Sequence, residues 1–285
     1  MTTKQKIIIT GATGRLGKIV ANELEQHQNH QVIKWNHAAE NLTDKNKIIA
    51  VFNEIKPNIV VHLAAAGATK NPEEIIAVNT NATETLAQLC QKIRARLIYT
   101  STDMVFDGIN PPFSETSSPN PINLYGKSKL AGETAIHHCT KNFLILRLAT
   151  LYGVYSEDPT RDFFSKALHH LRENETIAAY DDEYRTPISY QRVTKIISEL
   201  LLSEFTGTLH VGGHERLSRY EMCLEMARAL NVSTNLVKPT KMSDQLSGRP
   251  RDLSLDTSLL QQLHLQNAKS CFKDELKFSL ARVAP

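Results

Sequence analysis

Short apolar runs and longer segments of helical periodicity alternate along the chain up to residue 148. Runs rich in Ile, Val and Leu predict buried strands at residues 7–10, 31–35, 58–63, 95–99 and 143–148. Apolar residues spaced three and four apart predict helices between these runs, at residues 18–26, 44–56 and 73–94, and in the segment that carries Tyr125 and Lys129. The alternation predicts parallel βαβ units, and therefore an α/β Rossmann fold with a doubly wound parallel sheet.

The alternation weakens after residue 148. Helices are predicted at residues 163–172, 190–203 and 220–230, with a short strand at 207–211 that returns to the main sheet and a loop-rich tail from residue 248. We therefore expect a smaller C-terminal lobe interleaved with the sheet domain. The expected boundaries are 1–148 plus about 190–212 for the sheet domain, and about 149–189 and 213–285 for the lobe.

Composition narrows the class of protein. The 285 residues carry a net charge of +3, which is too small to indicate binding to nucleic acid or to an acidic membrane surface. The four cysteines are widely spaced, which predicts reduced thiols and no metal site. The N-terminal residues resemble no signal peptide, and no apolar run reaches the roughly 18 residues of a membrane span. We expect a soluble, cytoplasmic protein, and leave open a homodimer.

A glycine-rich turn joins the first predicted strand to the first helix. Its glycines, Gly11, Gly14 and Gly17, follow the spacing G-x-x-G-x-x-G. Glycine lets the backbone approach a pyrophosphate, whose charge is stabilised by the helix N-terminus. The alternative is a glycine-rich turn without a ligand. The predicted dinucleotide contacts in this turn are Gly11, Thr13, Gly14, Arg15, Leu16 and Gly17.

The end of the second predicted strand bears on which dinucleotide would bind. It reads Lys34-Trp35-Asn36-His37, without the carboxylate that usually binds the adenosine ribose of NAD. A 2′-phosphate would therefore not be repelled, and Arg15, Lys34 or His37 could pair with it. Asn36 is a candidate cofactor contact. The sequence thus favours NADPH over NADH, and use of both stays open.

Small and polar residues follow the third and fourth strands. Ala64, Ala65 and Ala66 leave room for a flat ligand at the carboxyl end of the sheet, and Thr102 ends the fourth strand. Tyr125 and Lys129 are four residues apart, so they lie on one face of their helix. An ammonium near a phenol lowers the pKa of that phenol and prepares it for general acid–base chemistry at neutral pH. A Tyr-x-x-x-Lys spacing also arises by chance, so it needs this context.

Two other polar features of the sequence are expected to have structural roles and no catalytic one. His62 lies inside an apolar strand, where a hydrogen-bonded core histidine is expected. The acidic run Asp181-Asp182-Glu183 is interpreted as a solvated turn and not as a metal site.

Seven segments together resemble the extended short-chain dehydrogenases/reductases. They are G-A-T-G-R-L-G (11–17), V-V-H-L-A-A (60–65), V-N-T-N-A-T (78–83), Y-T-S-T-D-M-V-F-D-G (99–108), Y-G-K-S-K-L-A-G-E (125–133), R-L-A-T-L-Y-G (147–153) and R-P-R-D-L-S-L-D (249–256). Within that superfamily the fourth and last segments are similar to the dTDP-4-dehydrorhamnose reductases and their relatives. The resemblance covers nearly the whole chain.

The resemblance implies a reductase of a nucleoside-diphosphate 4-keto-6-deoxy sugar. Tyr125 would donate the proton, Lys129 would bind the nicotinamide ribose and lower the pKa of Tyr125, and Thr102 would hydrogen-bond the substrate carbonyl. Asn79 matches an asparagine near the cofactor, although a structural role in its helix is equally open. The sheet domain would bind NAD(P) and the lobe would bind the substrate. The expected substrate contacts are Thr102, Asp103, Met104, Thr150, Arg249 and Arg251, the two arginines through the diphosphate.

Two departures from the pattern leave the substrate open. Met104 and Thr150 stand where the dehydrorhamnose reductases usually carry Tyr and Trp, so the sugar pocket would change shape. The alternatives are an oxidoreductase or epimerase for a different sugar nucleotide or carbonyl compound, and a non-catalytic NADP-binding protein. The same family includes a regulatory subunit of methionine adenosyltransferase. Intact Thr102, Tyr125 and Lys129 favour the enzyme.

Overall fold

The structure is a computed structural model that describes residues 4–35, 42–154, 162–243, 248–267, 269 and 271–281. The strands are β1 (Gln5–Thr10), β2 (His30–Trp35), β3 (Ile59–His62), β4 (Arg96–Thr102), β5 (Phe143–Leu148), β6 (Leu151–Tyr152), β7 (Ile177–Tyr180), β8 (Tyr184–Arg185), β9 (Ile188–Ser189), β10 (Gly207–Val211), β11 (Leu217–Ser218) and β12 (Val237–Thr240). The α-helices are α1 (Arg15–Glu25), α2 (Lys45–Ile55), α3 (Pro72–Ile76), α4 (Thr83–Ile93), α5 (Leu124–Cys139), α6 (Phe163–Arg172), α7 (Tyr190–Leu200), α8 (Arg219–Ala229), α9 (Ser258–Gln262) and α10 (Phe272–Ala281). A π-helical segment, Ala77–Ala82, joins α3 to α4.

A six-stranded sheet in the order β10-β5-β4-β3-β1-β2 organises the fold. β1 pairs in parallel with both β2 and β3, and β3 pairs in parallel with β4. The strand order reverses direction after β1, as in a doubly wound Rossmann sheet, and ligands bind such sheets beyond the carboxyl ends of the strands. The prediction that residues 207–211 return to the main sheet is confirmed, since β10 forms one of its edges.

Apolar strands and amphipathic helices build the core around this sheet. β3 and β4 are buried along their whole length, and each contains a continuous apolar run in place of an alternating pattern, residues 59–61 in β3 and 97–99 in β4. α1 turns Val20, Ala21 and Leu24 inward. α2 begins where the Asp44 side chain accepts hydrogen bonds from the Asn46 and Lys47 backbone amides. The strand and helix predictions for this part of the chain are thus confirmed, apart from the helix 73–94.

The chain divides into two compact units. The first contains residues 1–105, 119–147 and 194–209, and the second contains residues 106–118, 148–193 and 210–285. Residues 106–118, which the sequence interpretation assigned to the sheet domain, belong to the second unit. The rings of Phe106 and Phe113 stack there with centroids 4.3 Å apart, and the Phe113 amide donates a hydrogen bond of 2.9 Å to the Ser254 carbonyl.

The described residues of the second unit form their own core and three two-stranded sheets, β11-β8, β12-β7 and β6-β9. Tyr152, Phe164 and Phe272 pack together in this core, with the rings of Tyr152 and Phe272 4.7 Å apart. The prediction of a loop-rich tail from residue 248 is incomplete, because two helices interrupt the loops. α9 and α10 lie there, and α10 buries Phe272, Leu276 and Leu280 at a spacing of four residues.

No helix in the described ranges has both the length and the apolar character that a bilayer span requires. Those same ranges contain no group of three or more His, Cys, Asp or Glu side chains arranged to hold a metal ion. All four cysteines are free thiols, as predicted.

Candidate active site

The glycine-rich turn is packed too tightly for side chains. Gly11 has φ +68°, and a Cβ there would lie 2.7 Å from the Ala64 nitrogen. A Cβ on Gly17 would lie 2.1 Å from the Gly11 carbonyl oxygen. Gly14 is the N-cap of α1 and offers no side chain to its first-turn amides. The turn therefore presents a helix N-terminus that a pyrophosphate can approach, and the residues fit a dinucleotide.

A cavity of about 270 Å³ opens beside this turn in the first unit. It brings together six of the predicted cofactor residues, namely Gly11, Thr13, Gly14, Ala64, Ala65 and Ala66. The sequence interpretation missed the remaining residues of the wall, which are Trp35, Leu42, Leu63, Lys70, Glu74 and Val78. The wall is mostly apolar with a few polar groups, as is typical of sites for flat organic ligands. Among these residues, Trp35 could have been predicted, because it lies at the carboxyl end of β2.

Other predicted cofactor residues lie elsewhere. Arg15, Leu16 and Gly17 belong to the first turns of α1 but do not line the cavity. Lys34, proposed for a 2′-phosphate, forms an ion pair of 2.9 Å with Glu25. Asn36 and His37 lie outside the described residues.

Asn79 lies in the π-helical segment and ties the cavity wall to α5. Its Oδ1 accepts a hydrogen bond of 2.8 Å from the Ala66 amide, and its Nδ2 donates to the Ala66 carbonyl at 2.9 Å. The same Nδ2 donates to Ser128 Oγ at 3.0 Å. The prediction of one regular helix over residues 73–94 is therefore wrong in its middle, where the wider π turn carries Asn79. Such π turns often occur at functional sites.

Tyr125 and Lys129 lie in the first two turns of α5, which begins after the N-cap Asn123. The Lys129 side chain is buried, and its Nζ lies 4.0 Å from the centroid of the Tyr99 ring. A cation over an aromatic ring is stabilised by the electron-rich face of that ring. Lys129 is therefore held between its own helix and β4 and not in solvent.

Burial governs the ionisation of both groups. It lowers the pKa of Lys129 to about 7, against an opposing effect of the Glu133 carboxylate. Burial and the nearby Asp103 carboxylate raise the pKa of Tyr125 to about 12. The sequence predicted the opposite shift for Tyr125. Burial sets the direction of this shift, because the phenolate would lose its hydration in this site.

The carboxyl end of β4 continues into a tight turn. The Thr102 hydroxyl donates a hydrogen bond of 3.1 Å to Asp103 Oδ1 and accepts one of 3.2 Å from the Met104 amide. Asp103 is buried and close enough to Tyr125 to affect its pKa. A Cβ on Gly126 would lie 2.1 Å from the Met104 carbonyl oxygen, so α5 packs closely against this turn. The turn and α5 thus bring Thr102 and Asp103 to the same end of the sheet as Tyr125.

His62 is a hydrogen-bonded core residue, as predicted. Its Nδ1 lies 2.6 Å from Thr10 Oγ1 and its Nε2 lies 3.0 Å from Thr83 Oγ1. Burial and the charge of Lys129 lower the pKa of His62 to about 3. The ring is therefore neutral at physiological pH.

The predicted diphosphate contacts lie in the second unit and have acidic partners. Arg249 donates to Glu183 Oε2 through Nη2 at 2.7 Å, and Arg251 pairs with Asp182. Glu183 is fully buried and also pairs with Arg185 and Arg219. The interpretation of Glu183 as part of a solvated turn is wrong, because this carboxylate holds three guanidinium groups.

Thr150, also expected to contact the substrate, is a partly buried residue of the second unit. Its carbonyl accepts a hydrogen bond of 3.0 Å from the Ile188 amide.

Known proteins are similar to this chain over nearly its whole length. Residues 5–284 match the family model described as the RmlD substrate binding domain. The methionine adenosyltransferase 2 subunit beta of Bos taurus is 32% identical, with 97% of this chain and 87% of that protein covered. The probable low-salt glycan biosynthesis reductase Agl14 of Haloferax volcanii is 29% identical, with 96% and 95% covered. The dTDP-4-dehydrorhamnose reductase of Bacillus anthracis, solved in complex with NADP, superposes with a TM-score of 0.89 at 27% identity, with 99% of each chain covered. The chain therefore belongs to the RmlD substrate-binding-domain family.

Proposed function

We propose that this protein is an NAD(P)H-dependent reductase of a 4-keto-6-deoxy sugar carried on a nucleoside diphosphate. The observation that carries the proposal is the arrangement of groups at one end of the sheet. Tyr125 lies on α5 close to Asp103, and the same helix carries the buried Lys129. The glycine-rich turn lies at this end of the sheet as well. Carbonyl reduction requires a group that donates a proton and a bound reduced nicotinamide that supplies the hydride. The similarity to reductases of dTDP-4-dehydrorhamnose supports the substrate class.

The cofactor assignment rests on the cavity of the first unit. Gly11, Gly14 and the alanines of residues 64–66 would hold the dinucleotide, and reduced nicotinamide would supply the hydride. NADPH is the favoured form, because β2 ends without a carboxylate at Trp35 and the B. anthracis relative was solved with NADP. Asn79 would keep the Ala66 backbone in place along the cavity wall.

The protein's own groups handle the proton. Tyr125 is protonated at neutral pH because its pKa is about 12, so its hydroxyl can donate to the oxygen of the carbonyl as that carbonyl is reduced. Thr102 would orient the same oxygen by a hydrogen bond. Lys129, in its charged form, would bind the nicotinamide ribose and stabilise the phenolate that remains.

The substrate diphosphate is assigned to the second unit. Arg249 and Arg251 keep 44% and 40% of their side chains exposed while paired with acidic residues, so a phosphate could reach both guanidinium groups. Met104 and Thr150 would contact the sugar, and neither is the aromatic residue usual in dehydrorhamnose reductases. The identity of the base and the sugar is therefore a separate question for experiment.

Two measurements test this proposal. Thermal shift with dTDP, UDP and GDP, each with NADPH present, should identify the base, since a ligand at 100 times its Kd stabilises by about 2.7 kcal/mol. NADPH oxidation with the matching keto sugar should then fall by a factor of about 100 or more in Tyr125→Phe, and Tyr220→Phe, on α8, serves as the control. Undiminished turnover in Tyr125→Phe would refute the assigned proton donor.

A second candidate is a non-catalytic, NADP-binding regulatory subunit. The 32% identity to a subunit of methionine adenosyltransferase favours it. This candidate predicts NADPH binding without turnover of any nucleotide keto sugar, and a change in the activity of a methionine adenosyltransferase when the two proteins are mixed. Tyr125→Phe would leave that change intact.

A further inference from the structure

A buried ion pair lies one helical turn beyond Lys129. Arg147 Nη2 lies 2.8 Å from Glu133 Oε2, and Arg147 Nε donates to both Glu133 oxygens at 3.1 and 3.2 Å. The two side chains are 6% and 2% exposed. Because residues four apart share a helix face, Glu133 is on the Lys129 side of α5.

Burying this ion pair costs free energy, because both charges lose their hydration. Apolar residues of similar size are often as stabilising as a buried ion pair, or more so. Stability alone therefore does not explain a carboxylate at this position. The charge does have a neighbour that depends on it, because Lys129 is fully buried and has lost its hydration.

From this geometry, we infer that Glu133, fixed by Arg147, is a positioning residue that holds Lys129 in its charged form. The inference rests on the proposed function, since it concerns the lysine of that site. Arg147 fixes the carboxylate with three hydrogen bonds, so Glu133 cannot turn away from α5. Consistent with this, the carboxylate raises the pKa of Lys129 against the effect of burial.

Among the described residues, the other groups around Lys129 do not supply a compensating negative charge. From β4, the ring of Tyr99 faces the ammonium, and burial raises the pKa of Tyr99 well above its usual value, so this phenol stays neutral. From β3, His62 is neutral near pH 7. Tyr125, on α5 itself, is also neutral at that pH. Asp103 acts on Tyr125, which leaves Glu133 as the carboxylate that acts on Lys129.

The test is the titration of Lys129 in the whole protein without substrate. With lysine labelled at Cε by carbon-13, the NMR signal that disappears in Lys129→Arg reports this residue. Glu133→Gln alone leaves Arg147 buried without its partner and endangers folding, so the primary variant is Glu133→Gln combined with Arg147→Met. We expect its Lys129 midpoint to fall by about one pH unit. Glu133→Asp, which keeps the charge, should shift it less.

The control removes a matched surface pair, Glu23 with Lys195, as Glu23→Gln and Lys195→Met. Its Lys129 midpoint should stay at the wild-type value. An unchanged midpoint in the primary variant would overturn the inference. So would loss of folding in both the primary variant and Glu133→Asp, since the pair would then be a structural tie. This titration uses no substrate, so its result does not depend on activity. A protein without reductase activity would refute the proposed function but would leave the titration result standing.

A second readout follows from the same shift. If the charged form of Lys129 is needed for reduction, the alkaline limb of the pH–rate profile should move to lower pH by the same amount in the primary variant. A purely structural role would lower the rate at every pH without moving the limb.

Discussion

His62 makes the stability of the first unit depend on pH. Its ring bridges Thr10 and Thr83 in the core, and the pKa of His62 is lowered to about 3. In the unfolded chain the same ring binds a proton near pH 6.5. The unfolded state therefore binds more protons between pH 3 and 6.5, so stability rises with pH and is lost on acidification through this range.

The first prediction concerns this residue. From pH 7 to pH 5 the free energy of unfolding should fall by about 2 kcal/mol more in the wild type than in His62→Gln, because glutamine at position 62 binds no proton in this range. Urea unfolding at the two pH values measures the difference. His214→Gln, at an exposed position, should behave as the wild type. Equal pH dependence in His62→Gln and wild type would contradict the prediction.

Single residues also mark the limit of what the sequence could predict about the site. The sequence predicted Tyr125 and Lys129 on one helix and Thr102 at the end of a strand, and the structure has them on α5 and at the end of β4. The direction of the pKa shift of Tyr125 was wrong, because burial depends on how tightly α5 packs against β4. The partner of Arg249 was missed for a similar reason, since Glu183 lies 66 residues away in the chain.

The close approach of α5 to the sheet depends on two glycines. A Cβ on Gly126 would lie 2.1 Å from the Met104 carbonyl oxygen, and one on Gly132 would lie 2.6 Å from the Tyr99 hydroxyl. Both glycines are buried and lie on the face of α5 that carries Lys129. The helix can therefore bring its functional side chains against the end of β4 only because these positions have no side chain.

The second prediction tests this packing. Gly126→Ala should push α5 away from the turn after Thr102. We expect a loss of about 1–3 kcal/mol in the free energy of unfolding, although alanine favours helix, and a fall of about 100-fold in kcat from the displaced acid. NADPH affinity should change little. Gly67→Ala is the control, since a Cβ there meets no atom within 4 Å. A wild-type kcat in Gly126→Ala would show that the approach is not needed.

Elements with regular periodicity were predicted well and irregular ones were not. The strands of the main sheet and α6, at Phe163–Arg172, follow their apolar patterns. The π turn at Ala77–Ala82 has no signature in a single sequence, because its residues suit an α-helix equally well. α10 was missed because charged residues separate Phe272 from Leu276, and because Phe278, which is apolar but exposed, blurs the spacing of its buried positions.

At the scale of the whole molecule, each unit has its own core and its own charged centre. In the first unit this centre is the group of Lys129, Glu133 and Arg147, and in the second it is Glu183 with its arginines. The centre of the second unit lies among residues that are distant in sequence, since Arg249 comes from the segment before α9. Its loss should therefore affect the second unit as a whole.

The third prediction concerns this centre. Glu183→Gln leaves three guanidinium groups without their shared carboxylate and should cost about 3–5 kcal/mol of unfolding free energy. NADPH binding, which uses the cavity of the first unit, should persist at temperatures where the protein is folded. Thermal unfolding and NADPH fluorescence titration measure the two effects. Glu225→Gln, which removes an exposed pair with Arg228, should cost less than about 1 kcal/mol. Equal losses in the two variants would contradict the prediction.

The π turn at Ala77–Ala82 depends on the number of residues between α3 and α4. A π turn holds one residue more than the α-helical turn that it replaces. Deleting one residue there would restore regular α-helical winding with the flanking turns still in place, but it would remove the wide turn that lets Asn79 hydrogen-bond both backbone groups of Ala66. A one-residue gap at this position in an alignment of relatives should therefore be interpreted as a rebuilt cofactor wall and not as neutral variation in length.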